Sequence, residues 1–121
     1  TQRSTLFPYT TLFRSPWDRT AMLRLSGKFN IEQVVPFEEA VGDALQDDAT
    51  ALGIDMSHVE YVDSSAIGCL IKYANVTKGK GVDLYLLDLK PDIRLIFKTA
   101  YLDKFFNFIT HEEFKRRRKD A

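Results

Sequence analysis

From residue 21 onward the apolar positions switch between two spacings. Ala21-Met22-Leu23-Arg24-Leu25-Ser26 alternates apolar and polar in its second half and stops at Gly27, which predicts a strand. Asn30 is a strong helix N-cap residue, and Gln33 three positions on would complete a capping box. Pro36 breaks that reading, because a proline inside a helix loses a hydrogen bond and clashes with the preceding turn. The pattern therefore predicts a short turn at 30–35 and a helix opening at Pro36. Phe37, Ala40, Val41, Ala44 and Leu45 give it a core-facing stripe, and Gln46-Asp47-Asp48 ends it.

Ala51-Leu52-Gly53-Ile54-Asp55-Met56 is a nearly continuous apolar run, as expected of a strand covered on both faces. After a brief loop a helix is expected from Ser64 to Thr77. At about 100° per residue, Ala66, Ile67, Leu70, Ile71, Ala74 and Thr77 would face the sheet, with Ser65, Gly68, Cys69, Lys72 and Val76 outside. Lys78-Gly79-Lys80-Gly81 reads as a turn and Val82 to Leu87 as a strand. Pro91 opens a third helix carrying Ile93, Ile96, Phe97 and Ala100, and Phe105 to Ile109 is a last short strand. Strands alternating with helices predict an α/β domain: a mostly parallel sheet of four to five strands with helices packed against it.

The 121 residues provide for a single domain, read as 16–110, followed by a charged tail at 111–121. Lysine plus arginine equals aspartate plus glutamate at 17 each, so the whole chain has no field favouring nucleic acid or anionic membrane. The tail's Lys115-Arg116-Arg117-Arg118-Lys119 is read as a solvated or frayed terminal helix. A single cysteine, Cys69, excludes a disulfide framework within the chain and a multi-cysteine metal site. No apolar run approaches the roughly 20 residues that span a bilayer, so the expectation is a cytoplasmic protein with no direct membrane insertion.

Reactive chemistry is scarce. Gly79-Lys80-Gly81 lacks the spaced glycines and the following Ser/Thr of a phosphate loop. His58 and His111 stand far apart without ligand-spaced neighbours, so neither metal nor cofactor is expected. Cys69 has no pattern of base and orienting group, which leaves a buried or interface thiol and no enzyme. The strand ending at Asp88 resembles the phospho-acceptor strand of two-component receivers. It lacks their acidic pair after the first strand, and too little chain follows.

What remains is Asp63-Ser64-Ser65-Ala66-Ile67-Gly68, where a strand hands over to a helix. In isolation Asp63 or Ser64 there would be a cap worth about 1 kcal/mol. The longer stretch from Ile54 to Gly68 resembles the signature of STAS domains, the family of anti-sigma-factor antagonists. Its elements are a strand ending in aspartate (Asp55), a Ser-x-Val bend, an apolar pair, then Asp-Ser-Ser-small-Ile-Gly opening a helix. The resemblance extends from about residue 21 to 110 and includes Gly27-Lys28-Phe29-Asn30 and Leu102-Asp103-Lys104-Phe105-Phe106.

This resemblance implies that Ser64 is the serine phosphorylated by a partner kinase, with Asp63, Ser65, Asn30 and Asp55 around the switch. Helix geometry suggests docking on the outer stripe of Ser65, Gly68, Cys69, Lys72 and Val76, and the resemblance implies that the partner is an anti-sigma factor or related serine kinase, with a phosphatase resetting the switch. The alternative it leaves open is constitutive docking onto a membrane transport assembly for lipid or anions. Asn30 stands where the family often has aspartate, and Ala66 where it often has glycine.

Residues 5–15 look like the in-frame translation of a common short-read sequencing adapter, so residues 1–15 are read as a cloning or assembly scar on an environmental gene fragment. The native start, with or without a first strand, would then be missing.

Overall fold

The computed structural model describes residues 11–14, 20–45 and 49–120. Five strands form one sheet in the order β1-β2-β3-β4-β5. β1 (Thr11–Arg14) is antiparallel to β2 (Thr20–Phe29); β2, β3 (Ala51–Val62), β4 (Asp83–Leu87) and β5 (Asn107–Ile109) run parallel. The expected α/β class, with a mostly parallel sheet, is what forms. Consecutive parallel strands are neighbours, and right-handed crossovers that advance in one direction place their helices on one face. α1 (Val34–Ala44), α2 (Ser64–Gly79) and α3 (Pro91–Thr99) cover that face. Phe37, Val41, Ala66, Leu70, Ile93 and Phe97 close there over Leu23, Leu25, Leu52, Ile54, Leu84 and Leu86.

Strand side chains alternate between faces. The other set, Met22, Tyr85 and Leu87, packs under Phe114 of α4 (His111–Asp120). Residues 111–116 are thus joined to the domain rather than forming a tail outside it: Phe114 is buried, and its ring meets Tyr85 edge-on at 5.8 Å. Gly53 lies beneath it, where a Cβ would come within 2.9 Å of Phe114 Cζ. The charged run hides this contact in the sequence, because one phenylalanine among charges carries no periodicity.

Several boundaries move. β3 runs to Val62, six residues past the expected end, because β2 continues beside it to the pair Phe29↔Val62. β2 accordingly passes through Gly27, which adopts φ 86° between two irregularities in the register. A left-handed residue there favours glycine, so Gly27 marks a bulge and not a stop. α1 opens at Val34, and Pro36 is its third residue. The first four amides of a helix have no intrahelical acceptor, so proline is tolerated there.

β1 falls inside the stretch that resembles an adapter translation. Residues 1–10 and 15, the rest of that stretch, lie outside the described residues, as do 46–48, where α1 was expected to end.

Candidate functional site at the start of α2

β2 and β3 end side by side, and the chain leaves each through a capped turn. After β2, Asn30 Oδ1 accepts from Glu32 N at 3.0 Å, capping the 3-10 turn Ile31–Gln33. The reciprocal half of the capping box is not made, since Gln33 Oε1 is buried without a hydrogen-bond partner. After β3, Asp63 is the N-cap of α2, and its Oδ1 accepts from Ala66 N at 2.9 Å. Its Oδ2 accepts from Ile31 N at 3.1 Å, across 32 residues of sequence. One carboxylate therefore holds the first turn of α2 against the turn after β2. The capping role left open between Asp63 and Ser64 belongs to Asp63.

Ser64 is the first residue of α2 and is exposed. Among the described residues nothing engages its hydroxyl, nor the amides of Ser64 and Ser65. A phosphate on Ser64 would sit at a helix N-terminus with donors nearby, where the dipole offsets roughly 0.3–1 kcal/mol of its charge. Asp63 opposes that as a like charge, while its oxygens remain occupied by backbone donors.

Asn30, Asp63, Ser64 and Ser65 are brought together. Asp55 is not. It lies seven residues before the end of β3, about 23 Å along an extended strand. It is buried and paired with Arg24 Nε at 3.1 Å, with Ser57 N and Oγ donating to its other oxygen at 3.0 and 2.7 Å. Burial pushes the Asp55 carboxyl up, but the Ser57 bonds and the Arg24 bond and charge outweigh it, and the net shift is downward. Asp55 ties β2 to β3 instead of neighbouring the switch.

Cys69 is the other correction. The outward face assigned to it considered α2 against the sheet alone. α1 also packs along α2, which brings Phe37 edge-on to Tyr73 at 6.0 Å and buries Cys69 to 6% exposure. Desolvation and the nearby Glu38 charge, only partly offset by Lys72, push its thiol up to about 11. It is not available for direct docking. Gly68 and Lys72 are exposed, and Ser65 and Val76 are half-buried. Lys72 Nζ bonds Glu38 Oε2 at 2.9 Å, linking the outer sides of α1 and α2.

Two site neighbours escaped the sequence reading: Ile31 and Val35, 63% and 60% exposed. Their only signal is being apolar while falling off the Phe37–Val41–Ala44 stripe. Asp88 adopts φ 55°, and its Oδ2 accepts from His111 N at 3.2 Å, so it anchors the start of α4. Among the described residues, no cluster of three or more His, Cys, Asp or Glu could hold a metal ion, and no helix is long and apolar enough to cross a membrane.

Sheet order, one-sided crossover helices and an exposed serine at the start of the second of them define a small α/β module with one candidate site at the start of α2. The profile of the STAS domain matches residues 17–115, and the chain belongs to that family. It is 30% identical over 93 residues to the anti-sigma-F factor antagonist RsfB of Mycobacterium tuberculosis, covering 67% of this chain and 75% of the relative. In fold it matches a putative anti-sigma factor antagonist from Thermotoga maritima at TM-score 0.79 and 19% identity, over 91% of this chain and 94% of the other. Bacillus SpoIIAA in its phosphorylated form matches at TM-score 0.68 and 21% identity, over 90% and 98%.

Proposed function

We propose that the chain is a non-enzymatic interaction module that binds an anti-sigma factor with serine-kinase activity and is released when that partner phosphorylates Ser64. A cognate phosphatase restores binding. The observation that carries this is the Ser64 hydroxyl: exposed, unengaged and fixed at the first position of a long helix by a neighbour whose two carboxylate oxygens each accept a backbone amide. RsfB, a relative by sequence, is named as an antagonist of an anti-sigma factor, and SpoIIAA is known in a phosphorylated form; both agree with this reading.

The physics favours an off-switch. A phosphate adds about −1.5 to −2 charges. The exposed helix start accepts them at little cost to the fold, whereas a partner packed over Ser64 must desolvate them, which costs several kcal/mol at an interface. Ser64→Asp is expected to abolish partner binding and leave the thermal midpoint nearly unchanged. Equal capture of wild type and Ser64→Asp in a pull-down with the anti-sigma factor would sink the proposal. So would incubation with that kinase and ATP that leaves no phosphate on the Ser64 peptide in mass spectrometry.

A further inference from the structure

α1 and the turn before it carry an exposed surface that is both acidic and apolar. Residues 30–45 contain Glu32, Glu38, Glu39 and Asp43 and no lysine or arginine. Asp43 lies in the last turn of α1, which holds no basic residue, although the dipole favours cations there. Lys72 answers Glu38, while Glu32 and Glu39 are exposed and have no ion pair among the described residues. Between these acids stand Ile31 and Val35, the exposed apolar pair. Val35, Glu39 and Gly42 follow the i, i+4, i+7 spacing of one helix line. Glycine inside a helix weakens it. No packing requires Gly42 or Gly68, since a Cβ at either would meet nothing within 4 Å. Both leave low ground on an exposed face, and Gly68 lies one turn beyond Ser64.

We propose that the face from Ile31 to Gly42, continuous with Ser64 and Gly68, docks a protein surface with an apolar centre and a basic rim. An anionic membrane or a nucleic acid would meet charge of its own sign there. A two-fold pairing of this chain through the face would set acid against acid. The chain's own basic run belongs to α4, across the sheet. The inference rests on the reading of Ser64 as the switch and gives its partner a chemistry. The two act differently. Rim charges steer encounter and set salt dependence, whereas a phosphate on Ser64 must be buried under the partner's centre.

The test uses the full chain, isotope-labelled, with two synthetic amphipathic helical peptides as probes, one of leucine and lysine and one of leucine and glutamate. The leucine–lysine peptide is expected to shift the amides of Ile31, Val35, Glu39, Gly42 and Gly68. Its affinity should fall about tenfold between ~50 and ~500 mM salt. Glu39→Lys, whose exposed position leaves folding intact by circular dichroism, should weaken it several-fold. Equal binding of the acidic peptide, shifts confined to another face, or a concentration-dependent dimer lost in Glu39→Lys would each overturn the proposal. Phosphorylation of Ser64 is scored separately. If Ser64 is modified but the basic peptide binds elsewhere, the charge inference fails and the switch stands. If the peptide maps to this face but Ser64 is never modified, the switch fails instead.

Discussion

The two carboxylate oxygens of Asp63 accept from different segments, Ala66 N and Ile31 N, so a single residue sets both the first turn of α2 and its distance from the turn after β2. Asp63→Ala removes a helix cap and a long-range hydrogen bond together, and should cost about 1–2 kcal/mol of stability in urea unfolding. Asp63→Asn, which retains one acceptor oxygen, should fall between. A loss no larger than that of a substitution at an exposed position such as Lys78 would refute this bridging role. Half of the role was legible: aspartate before Ser-Ser at a strand-to-helix junction reads as a cap. The bond to Ile31 was not, because it depends on β2 and β3 ending level, which only the register reveals. The same limit explains Cys69. A helical wheel for α2 contains the sheet but not α1, so the buried arc is centred too far from Cys69 and Tyr73. Asp55 failed for a different reason. The family resemblance implied a place beside the switch, but an extended strand carries residues of one signature far apart.

At the scale of elements, crossover helices were easier to read than α4. α2 and α3 declare themselves by periodicity and by Asp63 and Pro91 at their starts. α4 holds its place through Phe114, supported by Asp88 on His111 N and by the Glu113–Thr110 bonds at its first turn. This makes a compact test of whether α4 is a packed element. In Gly53→Ala the new Cβ would stand 2.9 Å from Phe114 Cζ and 3.1 Å from Leu87 Cδ1, and overpacking of this kind costs about 1–3 kcal/mol. Phe114→Ala alone should cost about 3–5 kcal/mol. In the Phe114→Ala background Gly53→Ala should cost clearly less, since residues in contact are not additive. Strict additivity would mean that α4 does not rest on Gly53.

Across the whole molecule the sheet divides two kinds of work. The side covered by α1, α2 and α3 presents the candidate site, and the side under α4 carries the ion pair of half-buried Arg24 with buried Asp55. Because the folded Asp55 carboxyl lies below its ordinary value of 3.8, its ionised form is favoured in the native state. The stability this contributes is fully present above the unfolded pKa and is lost as pH falls through the lower, folded one. Asp55→Asn should therefore be less stable than wild type at neutral pH, with the charge pairing between Arg24 and residue 55 lost, and the gap should close as pH drops below about 3.8. Chemical unfolding of both proteins from neutral pH to pH ~2 measures the gap directly, and a constant difference would contradict the assignment. At neutral pH the same variant should bind the proposed anti-sigma-factor partner as wild type does. Asp55 is remote from Ser64, and sites separated by more than about 10 Å without shared partners act independently. Impaired binding in a folded Asp55→Asn protein would show instead that the two sides of the sheet are coupled.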